Sequence, residues 1–157
     1  MTELLRAEAL AKSFRGLAAV AGASFTVAEG RVTALIGPNG AGKTTLFNLI
    51  AGVHAPDAGT IHFRGRAIHG LRPDQICAAG IGRTFQLVKP FPALSVLDNV
   101  IVGALLVEPR VAAARVAALA VLRKLGLDPL AAQPAATLTL SDRKRLEVAR
   151  ALATRPR

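Results

Sequence analysis

The stretch Gly37–Thr45, which reads GPNGAGKTT, constrains the fold of this chain more than any other. It fits the pattern G-x-x-x-x-G-K-[ST], which is informative where a strand precedes it and a helix follows it. Both flanks meet this condition. Arg31–Ile36 is a short apolar, β-branched run that predicts a buried strand, and the residues from Lys43 to about Gly52 are typical of a helix. The motif therefore predicts a strand–loop–helix unit within an α/β fold.

The residue types of this motif suit the binding of phosphate groups. Glycines let the backbone curl so that successive N–H groups point at phosphate oxygens, and the following helix directs its positive end to the same place. The Lys43 ammonium can serve the β- and γ-phosphates of a nucleotide, and the Thr44 hydroxyl can ligate Mg²⁺. The alternative is a glycine-rich turn without a ligand. We predict a nucleotide site formed by Gly37, Pro38, Asn39, Gly40, Ala41, Gly42, Lys43, Thr44 and Thr45.

Composition narrows the class of protein. A chain of 157 residues suits one domain, and an apolar content of 52% excludes a disordered chain. The single cysteine, Cys77, excludes a disulfide framework and fits a reducing compartment. No apolar run reaches the roughly 18 residues of a spanning helix, and the N-terminus lacks the apolar core of a signal peptide. We therefore expect a soluble protein that reaches a membrane only through a partner.

The net charge of +10 raises the alternative of nucleic-acid binding. Against it, Trp and Tyr are absent, and no Phe falls in the basic stretch Leu138–Arg157, although stacking platforms for single strands need aromatic rings. On a helix, Glu147 is spaced to pair with Arg143 and Arg150, while Arg145 falls in the apolar sector and is predicted to reach an acid or a carbonyl. The stretch therefore predicts a half-buried helix with a solvated basic side that includes Arg143, Glu147 and Arg150.

The rest of the chain continues the α/β pattern and then becomes helical. Strands are predicted over Ala18–Gly30, Thr60–Gly65 and Ile81–Phe85, and a short helix over Pro73–Ala79. Beyond Ser95 the pattern is helical and alanine-rich. Breaks in that helical part are predicted at Pro109, Gly126, Pro129 and Pro134. We expect an α/β core over about residues 1–90 and a helical subdomain over about residues 91–157.

Two more landmarks follow the phosphate motif. Gln86 closes a predicted strand in RTFQLVKPFPALSVLDNV (Arg83–Val100), and LTLSDRKRLEVARALA (Leu138–Ala153) comes some fifty residues later. With these three segments in this order, the sequence from about Leu4 to Arg157 resembles the ATP-binding subunits of ABC transporters. Within them it is most similar to the importer branch that serves branched-chain amino acids. The resemblance implies a P-loop NTPase-type ABC ATPase core with a mixed sheet, plus an α-helical subdomain.

The resemblance also implies roles for single residues. Lys43 and Gln86 become catalytic candidates, and the Gln86 side chain reaches Mg²⁺ and orients the attacking water; the alternative is a polar cap at a strand end. Phe14 lies where the family places an aromatic ring against adenine, with a plain core residue as the alternative. Leu87–Leu97 corresponds to the surface that receives the coupling helix of the membrane permease. Its KPFP sequence forms an apolar knob, or else a proline-stiffened loop.

Leu138–Asp142 matches the family signature, which usually reads close to Leu-Ser-Gly-Gly-Gln. Thr139 keeps a hydroxyl at the second position, and Ser141 or Asp142 is predicted to cap the helix that follows. Ser141 replaces a glycine that lets the backbone approach a γ-phosphate, and Asp142 brings a negative charge to the same place. The resemblance implies that Thr139 and Ser141 contact ATP held by a second ABC ATPase subunit. We expect the two departures to weaken that contact.

In the family, an Asp-Glu strand and a switch histidine complete the hydrolytic site after the segment that ends this sequence. We therefore expect a single, incomplete ABC domain over residues 1–157 that lacks the C-terminal part of the core, binds MgATP weakly and turns over negligibly. The implied partners are transmembrane permease subunits, a second ATPase subunit and, indirectly, a solute-binding protein, at the cytoplasmic face of the cell membrane. The alternatives are a non-transport ABC ATPase acting on nucleic acid or ribosomes, and a non-catalytic truncated interaction fragment.

Overall fold

A computed structural model of the chain describes residues 2–85 and 90–157. The chain forms two compact units, Met1–Ile76 and Cys77–Arg157. The predicted division into an α/β core over about residues 1–90 and a helical subdomain over about residues 91–157 stays a prediction. No helix within the two described ranges is long and apolar enough to cross a membrane.

The first unit is built on a four-stranded sheet with the order β2-β1-β3-β4, in which all neighbours are antiparallel. Its strands are β1 (Glu3–Phe14), β2 (Leu17–Ala28), β3 (Ala58–Phe63) and β4 (Arg66–Ala67). Two-residue turns join β1 to β2 and β3 to β4. Both residues of each turn have positive φ, with 50° and 86° at Arg15 and Gly16, and 50° and 75° at Arg64 and Gly65. Such type I′ turns match the twist of the strands that they connect.

Strand β1 was not predicted from the sequence, and a bulge explains why. Leu5 and Ala7 are buried in the expected alternation, but the next buried residue is Leu10. The register against β2 shifts between Ala7 and Leu10, and Ala9 adopts φ 49°. One extra residue in the strand moves the later side chains to the other face. The period-two pattern is therefore too short to indicate a strand.

Several predicted elements are confirmed. The Ala18–Gly30 strand corresponds to β2, the Thr60–Gly65 strand to β3, and the short helix to α2 (Pro73–Ala79). The helix after the phosphate motif is α1 (Lys43–Ile50), and Gly52 follows it with φ 70°, as expected of a glycine that ends a helix.

Two predicted strands are wrong. Neither Arg31–Ile36 nor Ile81–Phe85 forms a strand in the structure. Val32 is fully exposed and Ile36 is 90% exposed, so the apolar run lies outside the core of the first unit. Its composition favours a strand, but a strand also needs a neighbour for its hydrogen-bond ladder. Within the described residues, no sheet strand pairs with it.

The second unit is a helical cluster of α3 (Val96–Ala104), α4 (Val111–Lys124) and α5 (Leu140–Ala153), with two 3₁₀ turns, Asp128–Leu130 and Ala135–Thr137. The four predicted breaks lie between these three helices, so they are confirmed. The buried apolar residues of this unit form one core. They are Val96, Leu97, Val100, Ile101, Ala104, Ala114, Ala118, Leu122, Leu127, Ala135, Leu138, Leu146, Ala149 and Ala153.

Candidate nucleotide-binding site

The predicted phosphate loop leads directly into α1. Its residues 37–41 are exposed, and Gly42 is the N-cap of α1 with φ 80°. A Cβ atom on Gly42 would lie only 2.1 Å from the carbonyl oxygen of Ala19 on β2. Gly40 also has a positive φ, 84°, but nothing lies within 4 Å of its Cβ position. Gly42 is therefore required by both conformation and close contact, and Gly40 by conformation alone.

Lys43 is held over the start of the loop. Its Nζ donates to the carbonyl oxygens of Gly37 at 2.6 Å and Pro38 at 2.5 Å. Thr44 is exposed and Thr45 half-buried in the first turn of α1, which contains no acidic residue. The first N–H groups of a helix have no partner within the helix, and the helix dipole is positive there. The loop therefore combines a fixed ammonium, glycine backbone and an uncompensated helix N-terminus, which is a chemical environment that suits phosphate.

Phe14 lies at the end of β1 and is 40% exposed, so its ring is not enclosed in the core. It meets the His54 ring edge-on, with 5.1 Å between centroids. Asp57 fixes the end of β1 by accepting bonds from Lys12 Nζ at 2.6 Å and from the Ser13 N–H at 2.7 Å. The lysine and then the backbone N–H hold the pKa of the Asp57 carboxyl below its usual range. The position of Phe14 against adenine stays a prediction.

The signature segment forms the start of α5, but the predicted cap is wrong. Thr139 is the N-cap, because its Oγ1 accepts from the Asp142 N–H at 3.2 Å and donates to Asp142 Oδ2 at 2.6 Å. Ser141 instead lies exposed in the first helical turn. The Thr-x-x-Asp spacing places the hydroxyl of the cap within hydrogen-bond distance of both the N–H and the carboxylate of Asp142. The pattern was visible in the sequence, and the predicted caps, Ser141 or Asp142, lie two or three residues after the observed one.

The prediction of a solvated basic side on α5 is also wrong in part. Glu147 is buried, and its Oε2 accepts from Arg150 Nη1 at 3.2 Å. The Arg150 guanidinium lies 5.0 Å from the centroid of the Phe91 ring. The prediction for Arg145 is confirmed, because it bonds both an acid, Asp142, and a backbone carbonyl. Helical spacing identified the Glu147–Arg150 pair, whereas Arg143, the other predicted partner of Glu147, donates to the carbonyl oxygen of Ala136 at 2.7 Å. Spacing alone did not identify the residues that cover these charges.

Asn99 organises the described end of the predicted permease-docking surface. This buried side chain accepts from the Phe91 N–H at 2.8 Å and donates to the carbonyl oxygens of Phe91 at 3.0 Å, Leu94 at 3.4 Å and Ser95 at 2.9 Å. Phe91 and Leu94 remain exposed at 42% and 39%. The sequence interpretation missed Asn99, although an amide on the apolar side of a helix is a usable signal.

Gln86 and the adjoining Leu87–Lys89 lie outside the described residues.

Known proteins resemble this chain in sequence. The profile of the family described as ABC transporter matches residues 20–157. The high-affinity branched-chain amino acid transport ATP-binding protein LivG of Salmonella typhimurium is 38% identical, over 98% of this chain and 66% of LivG. BraF of Pseudomonas aeruginosa, whose name gives the same description, is 35% identical over 98% of this chain and 66% of BraF. The chain thus spans about two thirds of the length of these relatives.

Solved structures match the fold. The ADP conformation of MJ1267, an ATP-binding cassette of an ABC transporter, superposes with a TM-score of 0.87. Its sequence is 32% identical, and the match covers 99% of this chain and 66% of the MJ1267 chain. A nucleotide-free ATP-binding cassette from an ABC transporter is 33% identical in sequence and has a TM-score of 0.86. This match also covers 99% of this chain and 66% of the other. These matches confirm the predicted resemblance and the predicted class, an α/β ABC ATPase core with a helical subdomain.

Proposed function

This chain belongs to the ABC transporter family, and we propose that it acts as the ATP-binding subunit of an importer for branched-chain amino acids or a similar small solute. The observation that carries the proposal is the phosphate loop, in which Lys43 lies over the glycine backbone at the open N-terminus of α1. The names of the two sequence relatives support the choice of solute class. ATP binding and hydrolysis at this loop would drive the uptake.

The proposed ligands are ATP and Mg²⁺. Gly37–Thr45 would hold the phosphates, with Lys43 adding positive charge next to the oxygens on which charge develops. The hydroxyl of Thr44 and the side chain of Gln86 would ligate Mg²⁺, which supplies charge neutralisation of the phosphate groups when bound. Phe14 would contact adenine from the end of β1, where its ring is partly exposed. Lys43 and Gln86 are the proposed catalytic residues.

For residues 1–157 on their own, we propose weak MgATP binding and negligible turnover. The family resemblance places the aspartate and the glutamate that complete the hydrolytic site after the signature helix, which ends at Ala153 here. Steady phosphate release from this chain that Lys43→Ala abolishes would contradict the proposed lack of turnover.

The proposed partners follow from two surfaces of the second unit. Thr139 and Ser141, at the exposed start of α5, would face ATP bound by a second ABC ATPase subunit. The exposed Phe91 and Leu94, on the loop that Asn99 fixes, would meet the transmembrane permease at the cytoplasmic face of the membrane. A solute-binding protein would contact the permease and not this chain.

Co-purification with the cognate permease subunits tests the importer assignment. We expect the wild-type chain to be recovered with detergent-solubilised permease, and the Phe91→Ser variant to be recovered about tenfold less, because it removes an exposed apolar anchor. Val116→Ser is the matched control, since Val116 is 69% exposed on α4 and lies away from this loop in sequence. Recovery that is equal for Phe91→Ser and Val116→Ser, or absent for the wild type, would contradict the proposal.

A further inference from the structure

Arg145 makes two contacts that join the signature segment to the preceding helix. Its Nη2 donates to Asp142 Oδ1 in the first turn of α5, and its Nη1 donates to the carbonyl oxygen of Leu125, the C-cap residue of α4, at 3.1 Å. The next residue, Gly126, has a φ of 64°, and a Cβ there would meet Arg145 Nη1 at 3.5 Å, an ordinary contact distance. One guanidinium therefore bonds the start of one helix and the end of another.

Capping of α5 does not by itself require Arg145, and α3 provides the internal comparison. Ser95 and Asp98 form the same two hydrogen bonds: Ser95 Oγ donates to Asp98 Oδ2 at 2.6 Å and accepts from the Asp98 N–H at 3.0 Å. Among the residues that the structure describes, Asp98 has no salt bridge. At α3 the two hydrogen bonds of the cap form without the cation that Arg145 adds at α5, so this kind of cap does not depend on Arg145.

The charge of Asp142 gives a reason for the added cation. A carboxylate in the first helical turn occupies the place where a helix N-terminus favours a foreign anion, and it repels phosphate at short range. The Thr139 hydroxyl and then Arg145 hold the pKa of Asp142 below its usual range, because both interactions favour the charged carboxylate. A cation bound to the carboxylate reduces this repulsion.

We propose that Arg145 is a positioning residue for the nucleotide contact of Leu138–Asp142: it cancels the charge of Asp142 and ties the first turn of α5 to the end of α4. The inference rests on the proposed function, in which this segment faces ATP on a second subunit. Arg145 would thereby offset the weakening of the ATP contact that the sequence alone predicts for Asp142. The arginine does not itself contact the nucleotide.

Charge rescue separates this role from a purely structural one. Self-association of the chain is measured by sedimentation with Mg²⁺ and a non-hydrolysable ATP analogue. We expect Arg145→Gln to weaken association about tenfold, because Asp142 becomes an unpaired negative charge at the contact. The double variant Asp142→Asn, Arg145→Gln is expected to recover to within about twofold of wild type, and Lys144→Gln, a neighbouring exposed cation, to match wild type. An unaffected Arg145→Gln variant, or a double variant as weak as the single one, would overturn the proposal.

A measurement without nucleotide makes the outcome independent of dimerisation. In Arg145→Gln, the pKa of Asp142 measured by NMR is expected to rise, and amide hydrogen exchange in the first turn of α5 to accelerate, with no such change in Lys144→Gln. A wild-type chain that binds the analogue but does not associate would remove the two-subunit arrangement from the proposed function. The exchange rates and the pKa of Asp142 then test only whether Arg145 ties the first turn of α5 to the end of α4. Values that are the same in Arg145→Gln and the wild type would reject that role.

Discussion

Substitution of Gly42 by alanine is expected to abolish nucleotide binding and to lower the free energy of unfolding by at least about 3 kcal/mol. The new Cβ would lie 2.1 Å from the carbonyl oxygen of Ala19, which belongs to the backbone of β2 and cannot rotate away. The left-handed φ of 80° adds strain for any side chain. Relief requires a shift of the loop or of the strand, and either shift displaces the N-terminus of α1.

Gly40→Ala is the matched control for that prediction. Gly40 has nearly the same φ, 84°, but its Cβ would meet nothing within 4 Å. We therefore expect it to cost only the conformational strain, about 1–2 kcal/mol. Urea unfolding curves of the two variants, compared with wild type, measure the difference. Equal stabilities for Gly42→Ala and Gly40→Ala would show that the contact with β2 does not restrain the loop.

Asn99→Ala is expected to destabilise the second unit by about 3 kcal/mol. Four hydrogen bonds join this buried side chain to the backbone of residues 91–95. Their loss leaves backbone groups around the site without partners, and the alanine leaves a cavity.

The control for Asn99→Ala is Val102→Ala on the same helix, whose side chain is 46% exposed, and it is expected to cost less than about 1 kcal/mol. Unfolding followed by circular dichroism compares the two variants. Hydrogen exchange at the Phe91 N–H should accelerate in Asn99→Ala alone. A similar loss of stability in both variants would argue against a role for Asn99 in fixing the loop.

The sequence predicted the elements whose signals are local. The loop–helix unit Gly37–Thr45, the strand β2 and the helix α2 each carry glycine, proline or periodic signals within a few residues. Arg31–Ile36 failed because strand formation depends on a neighbour that no local pattern can supply. Strand β1 was missed because the bulge at Ala9 interrupts the alternation.

At the candidate site, too, the sequence indicates features with local signals and misses those that depend on distant residues. The spacing of Lys43 and the loop glycines predicts phosphate binding, and that role stays a prediction. Burial of Glu147 and the four bonds of Asn99 depend on segments that are distant in sequence or folded back on the helix. Helical periodicity places a residue on a face, but it does not say which loop covers that face.

The measurement that tests the account most directly is a calorimetric titration of the chain with MgATP. We expect a saturable heat for the wild type that is lost in Lys43→Ala, because the ammonium held by the Gly37 and Pro38 carbonyls supplies the charge for the phosphates. Lys144→Ala, which removes an exposed lysine from α5, is expected to titrate like the wild type. Equal heats for the wild type and Lys43→Ala would contradict the assignment of this loop as the nucleotide site.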